Sequence, residues 1–376
     1  MRKSLFSIAL VGIVLASCVK NEPADTANKD VKIGFATPVL YSNLDTRAEV
    51  YGEIGSHTYD GTTTVYSYPR DEEFKIFAVE HIGNLTSWSA ATSCAFNGSS
   101  VSYNPSLDAW APLTQEEGFY YWPDGEFLSF AAVSPADLEL TGVEATYSVT
   151  GLEIEDFLVN DNPAKQYDLL YSKRAVNQKA SDMVDGADYY SGIPIEFQHA
   201  LTSIHFSLKK DAAVTATVTL KKIVLKKAKS QGTFNENITN ETVYASSPAW
   251  TDVTGEATYV SFTGSVEFPI NPQYVSALAA ANGTGDSDVS YPLLVIPQEL
   301  GDDTIVEVTY AVGSEEKTRP VQLNTFPSSA PITEWKIGTK YTYRLYYSEA
   351  SQFQDIIYFS PTTGDWTEGG IIEVAL

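Results

Sequence analysis

Few residues in this sequence have side chains and spacings that could do chemistry. Four histidines, His57, His81, His199 and His205, are scattered along the chain. Imidazoles act as general bases and metal ligands. His199 and His205 lie six positions apart around an alternating stretch, so one continuous strand would present them on one face. No carboxylate or third ligand stands nearby at a recognisable metal spacing, and structural histidines are the plainer reading. Asp71-Glu72-Glu73 and Asp302-Asp303 sit in turn contexts. Glycoside hydrolysis needs two carboxylates brought together by the fold, and nothing here favours such a pair. G-x-S-x-G, H-E-x-x-H, P-loop and dinucleotide-binding fingerprints are absent. The reading is a chain that is not an enzyme and needs no cofactor or metal.

Two covalent events are better marked. Arg2 and Lys3 precede the apolar run "LFSIALVGIVLA" at 5–16, and Ser17-Cys18 completes "LASC". The run is too short for a stable membrane-spanning helix and reads as an export signal over 1–17. A small-residue cleavage site ending in cysteine is similar to a bacterial lipobox, which makes Cys18 a lipidation site. Several acyl chains, at about 0.8 kcal/mol per buried methylene, hold a protein to a membrane where one chain would not. The polar stretch 18–30 then reads as a flexible tether. With Cys18 acylated, Cys94 has no partner, so no disulfide within the chain is expected.

The second event is proteolysis. In "VKIGFATPVLYSNLDTRAEV" (31–50), Val31, Ile33, Phe35 and Val39 form an apolar row, and a polar stretch with Arg47 before Ala48 follows. Alternation of this kind puts one face in a core. An arginine in a loop is where a trypsin-like protease cuts. Together they read as a strand made to be removed.

The elements around these residues are strands. "FKIFAVEHI" (74–82), "FLSFAAV" (127–133), "ALTSIHFSLKK" (200–210), "TATVTLKKIVLKK" (215–227), "SYPLLVIPQEL" (290–300), "TIVEVTYAV" (304–312) and "KYTYRLYYS" (340–348) are rich in β-branched and aromatic residues. Gly/Asn/Asp turns such as "FNGSS" and "ELGDD" separate such runs. The best helix candidate is the brief "YVSALAAAN" at 274–282. An all-β chain of sandwich type follows. Residues 173–192 lack a strand pattern, which divides the chain into a domain over 31–195 and one over 196–376.

Composition narrows the partners. The chain has 24 Lys+Arg against 48 Asp+Glu, a net charge of −24, and such a surface repels nucleic acid. Seven of the 24 basic residues, Lys209, Lys210, Lys221, Lys222, Lys226, Lys227 and Lys229, are concentrated in 209–229. They read as a solvated strand face, with a contact to an acidic patch on another subunit as the alternative. Tyr120, Tyr121 and Trp122 in "GFYYWP" could stack on a sugar. Neighbours on a strand point to opposite faces, however, so part of this group must be core.

The two ends of the chain match each other. The sequence finishes "EGGIIEVAL", which places Ile372, Val374 and Leu376 on one strand face after a Gly-Gly hinge. Such a strand could fill the place vacated by the first strand of another copy.

The order of "LASC", the "DTRA" loop, "YYWPDGEFLSFAAVSP", "IPIEFQHALTSIHFSL", "IVLKKAKSQGTF", "LLVIPQ", "WKIGTKYTYRLYY" and "GDW" resembles the fimbrillin family of Bacteroidales, the FimA-like and Mfa-like type V pilins. The resemblance implies two transthyretin-like β-sandwich domains in tandem and export as a lipoprotein of the outer membrane, exposed at the surface. It further implies cleavage at Arg47 by an arginine-specific surface protease and assembly with other fimbrial subunits, identical or homologous, by strand addition into a pilus used in adhesion to a host or bacterial target. A lipid-anchored monomeric adhesin or glycan-binding lipoprotein, including a tip or anchor subunit of a pilus, is the second reading.

Overall fold

The structure is a computed structural model. It describes residues 27–36, 38–40, 56–59, 63–88, 93–106, 109–112, 121–123, 127–138, 145–179, 192–240, 245–270, 275–276, 289–290, 292–325, 331–348 and 356–365. Among these the regular elements are strands, apart from short 3₁₀ turns such as Pro163–Lys165 and Leu323–Thr325. The all-β reading is correct.

The largest sheet runs in the order Ser56–Tyr59, Thr63–Ser67, Val39–Leu40, Glu196–His199, Leu170–Ser172, Phe127–Ser134, Phe74–His81, Ser93–Asn104 and Ala109–Pro112. Its central strands are covered on both faces. Ile76, Ala78, Phe130 and Ala132 enter one hydrophobic cluster, while Phe77, Val79 and Val133 enter another. Burial on both sides explains why "IFAV" at 76–79 is an unbroken apolar run and not an alternating one.

Two five-stranded sheets form the other main layer pair. One is built on Thr202–Lys210 and Thr339–Ser348, which run parallel, and the other on Val218–Ala228 between Ala257–Glu267 and Ile305–Val312. Their inward rows share one core, with Ile204, Phe206, Leu208, Tyr343 and Leu345 from the first and Leu220, Ile223, Leu225, Tyr259 and Val308 from the second. The Tyr310 and Tyr347 rings meet at 5.9 Å, and Trp335 Nε1–H donates to the Tyr343 hydroxyl at 3.0 Å. Clean alternation along Ile305–Val312 and Thr339–Ser348 reflects a core on one side only.

Three strand pairings run across residue 195. Glu196–His199 joins the largest sheet, and Gly151–Leu158 pairs antiparallel with Gln231–Asn235 in a four-stranded sheet. The expected helix at 274–282 is not formed where it is described. Val275–Ser276 is a short strand paired with Ser207 and Leu208, because the neighbouring strand edge offers its backbone a ladder.

His205 gives a pH prediction. Its Nε2 lies 2.8 Å from Ser203 Oγ, and loss of water together with the charge of Lys340 holds its pKa well below 6.5. Below about pH 6.5 the unfolded chain takes up a proton that the folded chain refuses, so stability falls as pH falls through that range. His205→Gln should remove this dependence, reducing the slope of unfolding free energy against pH by at most about 1.4 kcal/mol per unit. Urea titrations of both proteins between pH 7 and pH 5 measure it. Identical slopes would contradict the assignment.

Candidate functional site

The apolar row near the N-terminus does not lie in one strand. Val31 belongs to Ala27–Lys32, which pairs antiparallel with Tyr121–Pro123. Val39 belongs to Val39–Leu40, which runs parallel to Glu196–Phe197 and antiparallel to Tyr66 and Ser67. Between them, residues 33–36 close a gap. Phe35 bridges antiparallel to Trp110 on one side and parallel to Ile193 on the other. Phe35 N–H donates to Trp110 O at 3.0 Å, Ala36 N–H to Ile193 O at 3.0 Å, and Ile193 N–H to Gly34 O at 3.1 Å. The sheet path from Glu196–His199 round to Ala109–Pro112 is thus joined end to end by a stretch that is remote in sequence from both ends.

The side chains of that stretch are inside. Ile33 and Phe35 are each 3% exposed. The Phe35 ring meets Phe74 edge-on at 6.1 Å and Phe130 at 5.8 Å. Phe74 in turn contacts Trp110 and Phe197, and Tyr68 contacts all three. The Phe35 ring is therefore seated between Phe74 and Phe130, at the border of an aromatic cluster in which edge-to-face contacts recur.

Gly192 makes the seat possible. Its φ is +114°, and a Cβ there would sit 2.7 Å from Ala36 N and 2.8 Å from the Phe35 carbonyl carbon. Only glycine fits both the conformation and the close approach of two backbones. Trp110, Gly192 and Ile193 were not singled out by sequence reasoning. The one available signal was "GIPIEF", where Ile193, Ile195 and Phe197 alternate and all prove buried.

Cys18, Arg47, Ala48, Ile372, Val374 and Leu376 lie outside the described residues, as does Tyr120. Trp122 is fully buried against Phe130 at 6.1 Å, so it packs the core and offers no face to a sugar. Cys94 is half-buried, its Sγ–H donating to Phe96 O at 3.3 Å.

The histidines are structural where their side chains are described. His81 is buried, with Nδ1 2.7 Å from Gly83 O, Nε2 2.9 Å from Ser129 Oγ, and its ring stacked on Phe127. His199 Nδ1 lies 2.7 Å from Asp168 Oδ2. His199 and His205 do not share a strand face, because the chain turns at Ala200 and Leu201 between Glu196–His199 and Thr202–Lys210. Among the described residues no group of three or more His, Cys, Asp or Glu side chains could hold a metal ion.

The lysine run meets its own chain. Lys210 pairs with Glu267 at 3.1 Å, Lys226 with Glu307 at 2.6 Å, Lys227 with Asp303 at 3.1 Å and Lys229 with Glu256 at 3.2 Å. Lys227 is raised and Asp303 lowered from their ordinary pKa values, in each case chiefly by the hydrogen bond between them. Glu267 and Glu307 come from neighbouring strands, and Asp303 and Glu256 from the turns just before them; the exposed lysines fit the solvated-face reading of the run, whereas Lys210 is buried. An open polar cleft of about 600 Å³ lies beside Lys173, Arg174, Glu196, Gln198 and Ser246. Lys173 and Glu196 already pair there at 3.0 Å.

A family model described as Fimbrillin-like matches residues 70–366. The fold is similar to the crystal structure of a fimbrial protein from Bacteroides vulgatus, with a TM-score of 0.50 at 14% identity, covering 90% of this chain and 100% of that one. A cell-adhesion candidate from Bacteroides uniformis aligns with a TM-score of 0.46 at 15% identity over 92% of this chain and 100% of that one. The tip fimbrial protein of Porphyromonas gingivalis, solved with a C-terminal truncation, aligns with a TM-score of 0.33 at 10% identity over 79% and 95%. No curated protein matches the chain.

Proposed function

The chain belongs to the fimbrillin-like family, and on that premise we propose that it is a structural subunit of an adhesive surface fimbrium, assembled when one of its strands is replaced by a strand of another subunit. In this reading residues 1–17 direct export, Cys18 carries the lipid that holds the precursor at the outer membrane, and a surface protease cuts after Arg47. Residues 31–40 leave with the fragment. The strand with Ile372, Val374 and Leu376 of a neighbouring subunit then enters the opened groove. The tandem transthyretin-like pair over 31–195 and 196–376 belongs to the same proposal, with Glu196–His199 lying in the sheet of the first unit.

The observation that carries the proposal is the seat of residues 33–36. They close a sheet end to end, yet they precede the region matched by the family. Burying Ile33 and Phe35 is worth about 1.5–3 kcal/mol each as an upper figure. Their departure therefore removes a sizeable share of a domain stability of about 5–15 kcal/mol. It leaves backbone groups of Trp110 and Ile193 without their partners. Such a groove demands a new strand, and strand addition satisfies both the apolar and the hydrogen-bonding need.

Limited proteolysis tests the trigger. Trypsin at a limiting dose should cut first after Arg47. Arg174 is buried, while Arg319 and Arg344 lie within paired strands. Arg70 rests on the Tyr103 ring at 4.3 Å. A first cut within 200–230, with Arg47 intact, would count against the removable strand.

A further inference from the structure

The strand that the proposal removes is an internal one. Val39–Leu40 pairs with Glu196–Phe197 on one side and with Thr63–Ser67 on the other, through Val39 opposite Ser67 and Leu40 opposite Tyr66. Thr63–Ser67 makes a hairpin with Ser56–Tyr59, from Ser56 opposite Tyr66 to Tyr59 opposite Thr63. Among the described residues neither hairpin strand pairs with anything else in the sheet. Among the described residues, the hairpin therefore joins the sheet's ladder only across the strand that leaves.

A cut after Arg47 keeps this hairpin in the mature chain. It stays attached through Tyr68, which is buried and whose hydroxyl lies 2.7 Å from Ser134 Oγ and 2.9 Å from Glu73 O. The bond from Tyr68 N–H to Pro38 O, at 2.8 Å, goes with the fragment. An isolated two-stranded hairpin is marginal in water.

We infer that the hairpin Ser56–Ser67 is a clasp that closes over the strand occupying the place of Val39–Leu40, and so forms a second contact surface for the incoming strand of another subunit. This rests on the strand-replacement reading above. The guest is a β-strand held by backbone hydrogen bonds on both of its edges. The register sets its direction, parallel to Glu196–His199 and antiparallel to Thr63–Ser67. The clasp is ordered in the precursor, loses its order when the groove is empty, and regains it when a guest arrives.

Hydrogen exchange on the full chain tests this, using a variant with a specific protease site inserted between Arg47 and Ala48. Three samples are compared: the uncut protein, the cut protein freed of its N-terminal fragment, and the latter with a synthetic peptide of residues 27–40. Amides of 56–59 and 63–67 should be protected in the first, exchange at least a hundredfold faster in the second, and recover in the third. Amides of Glu196 and Phe197 should follow the same course. If 196–197 respond but 56–59 and 63–67 stay protected throughout, or fail to recover with the peptide, the clasp is overturned and strand replacement survives. If 196–197 do not respond to loss of the fragment, the strand-replacement reading fails and the clasp with it. Tyr66→Pro, which removes a ladder donor from the hairpin, should weaken peptide binding about tenfold. Unchanged affinity would overturn the clasp.

Discussion

Phe35→Ala is expected to cost the intact chain about 3–5 kcal/mol. The ring is 3% exposed and sits edge-on between Phe74 and Phe130. Its truncation leaves a hole beside Phe74, whose ring is also held by contacts with Trp110, Tyr68 and Phe197. Gly192→Ala should act on the same seat from the backbone. Its Cβ would press on Ala36 N and the Phe35 carbonyl carbon, and its φ of +114° disfavours any side chain. Together these cost about 2–5 kcal/mol. Urea unfolding of the uncut proteins measures both. Once residues up to 47 are removed, the Phe35 variant and the parent are the same molecule, so their difference must vanish. A loss below about 1 kcal/mol for Phe35→Ala would mean that the segment is not seated as described.

Deleting residues 371–376 should have the opposite profile. A strand that serves a neighbouring subunit contributes nothing to its own fold, so the truncated precursor should melt with the parent. After cleavage at Arg47 it should form no polymer, since no subunit then offers Ile372, Val374 and Leu376 to an open groove. In a monomeric anchored adhesin the same side chains would pack within their own sheet. Their removal would then cost about 4–9 kcal/mol as an upper figure. Melting curves beside an assembly assay separate the two cases by sign as well as by size. A truncated protein that melts far below the parent would favour the adhesin.

The strands were legible where burial writes itself into composition. Phe74–His81 and Phe127–Ser134 are apolar because both of their faces are covered, and Ile305–Val312 alternates because one is. The seat of the first strand was only half legible. Ile33 and Phe35 announce a buried face, but nothing local says that their partners are Trp110 and Ile193. Those pairings depend on how distant segments fold back, which no short window of sequence carries. The carboxylates that answer the lysine run were hidden for the same reason, since Glu267, Glu307, Asp303 and Glu256 are supplied by other segments. The shared strand face of His199 and His205 was not legible, because a turn at Ala200 and Leu201 divides what reads as one strand. At Val275 and Ser276 a strand edge outweighs a weak helix preference.

In the proposed assembly one groove holds first the chain's own strand and then that of a neighbouring subunit. Competition tests it most directly. Protein cut after Arg47 and freed of its fragment is allowed to assemble in the presence of a saturating synthetic peptide of residues 27–40, and the products are weighed by native mass spectrometry. Growth should stop, with monomers carrying one peptide each. Polymers growing at an unchanged rate, with the peptide bound or not, would contradict it.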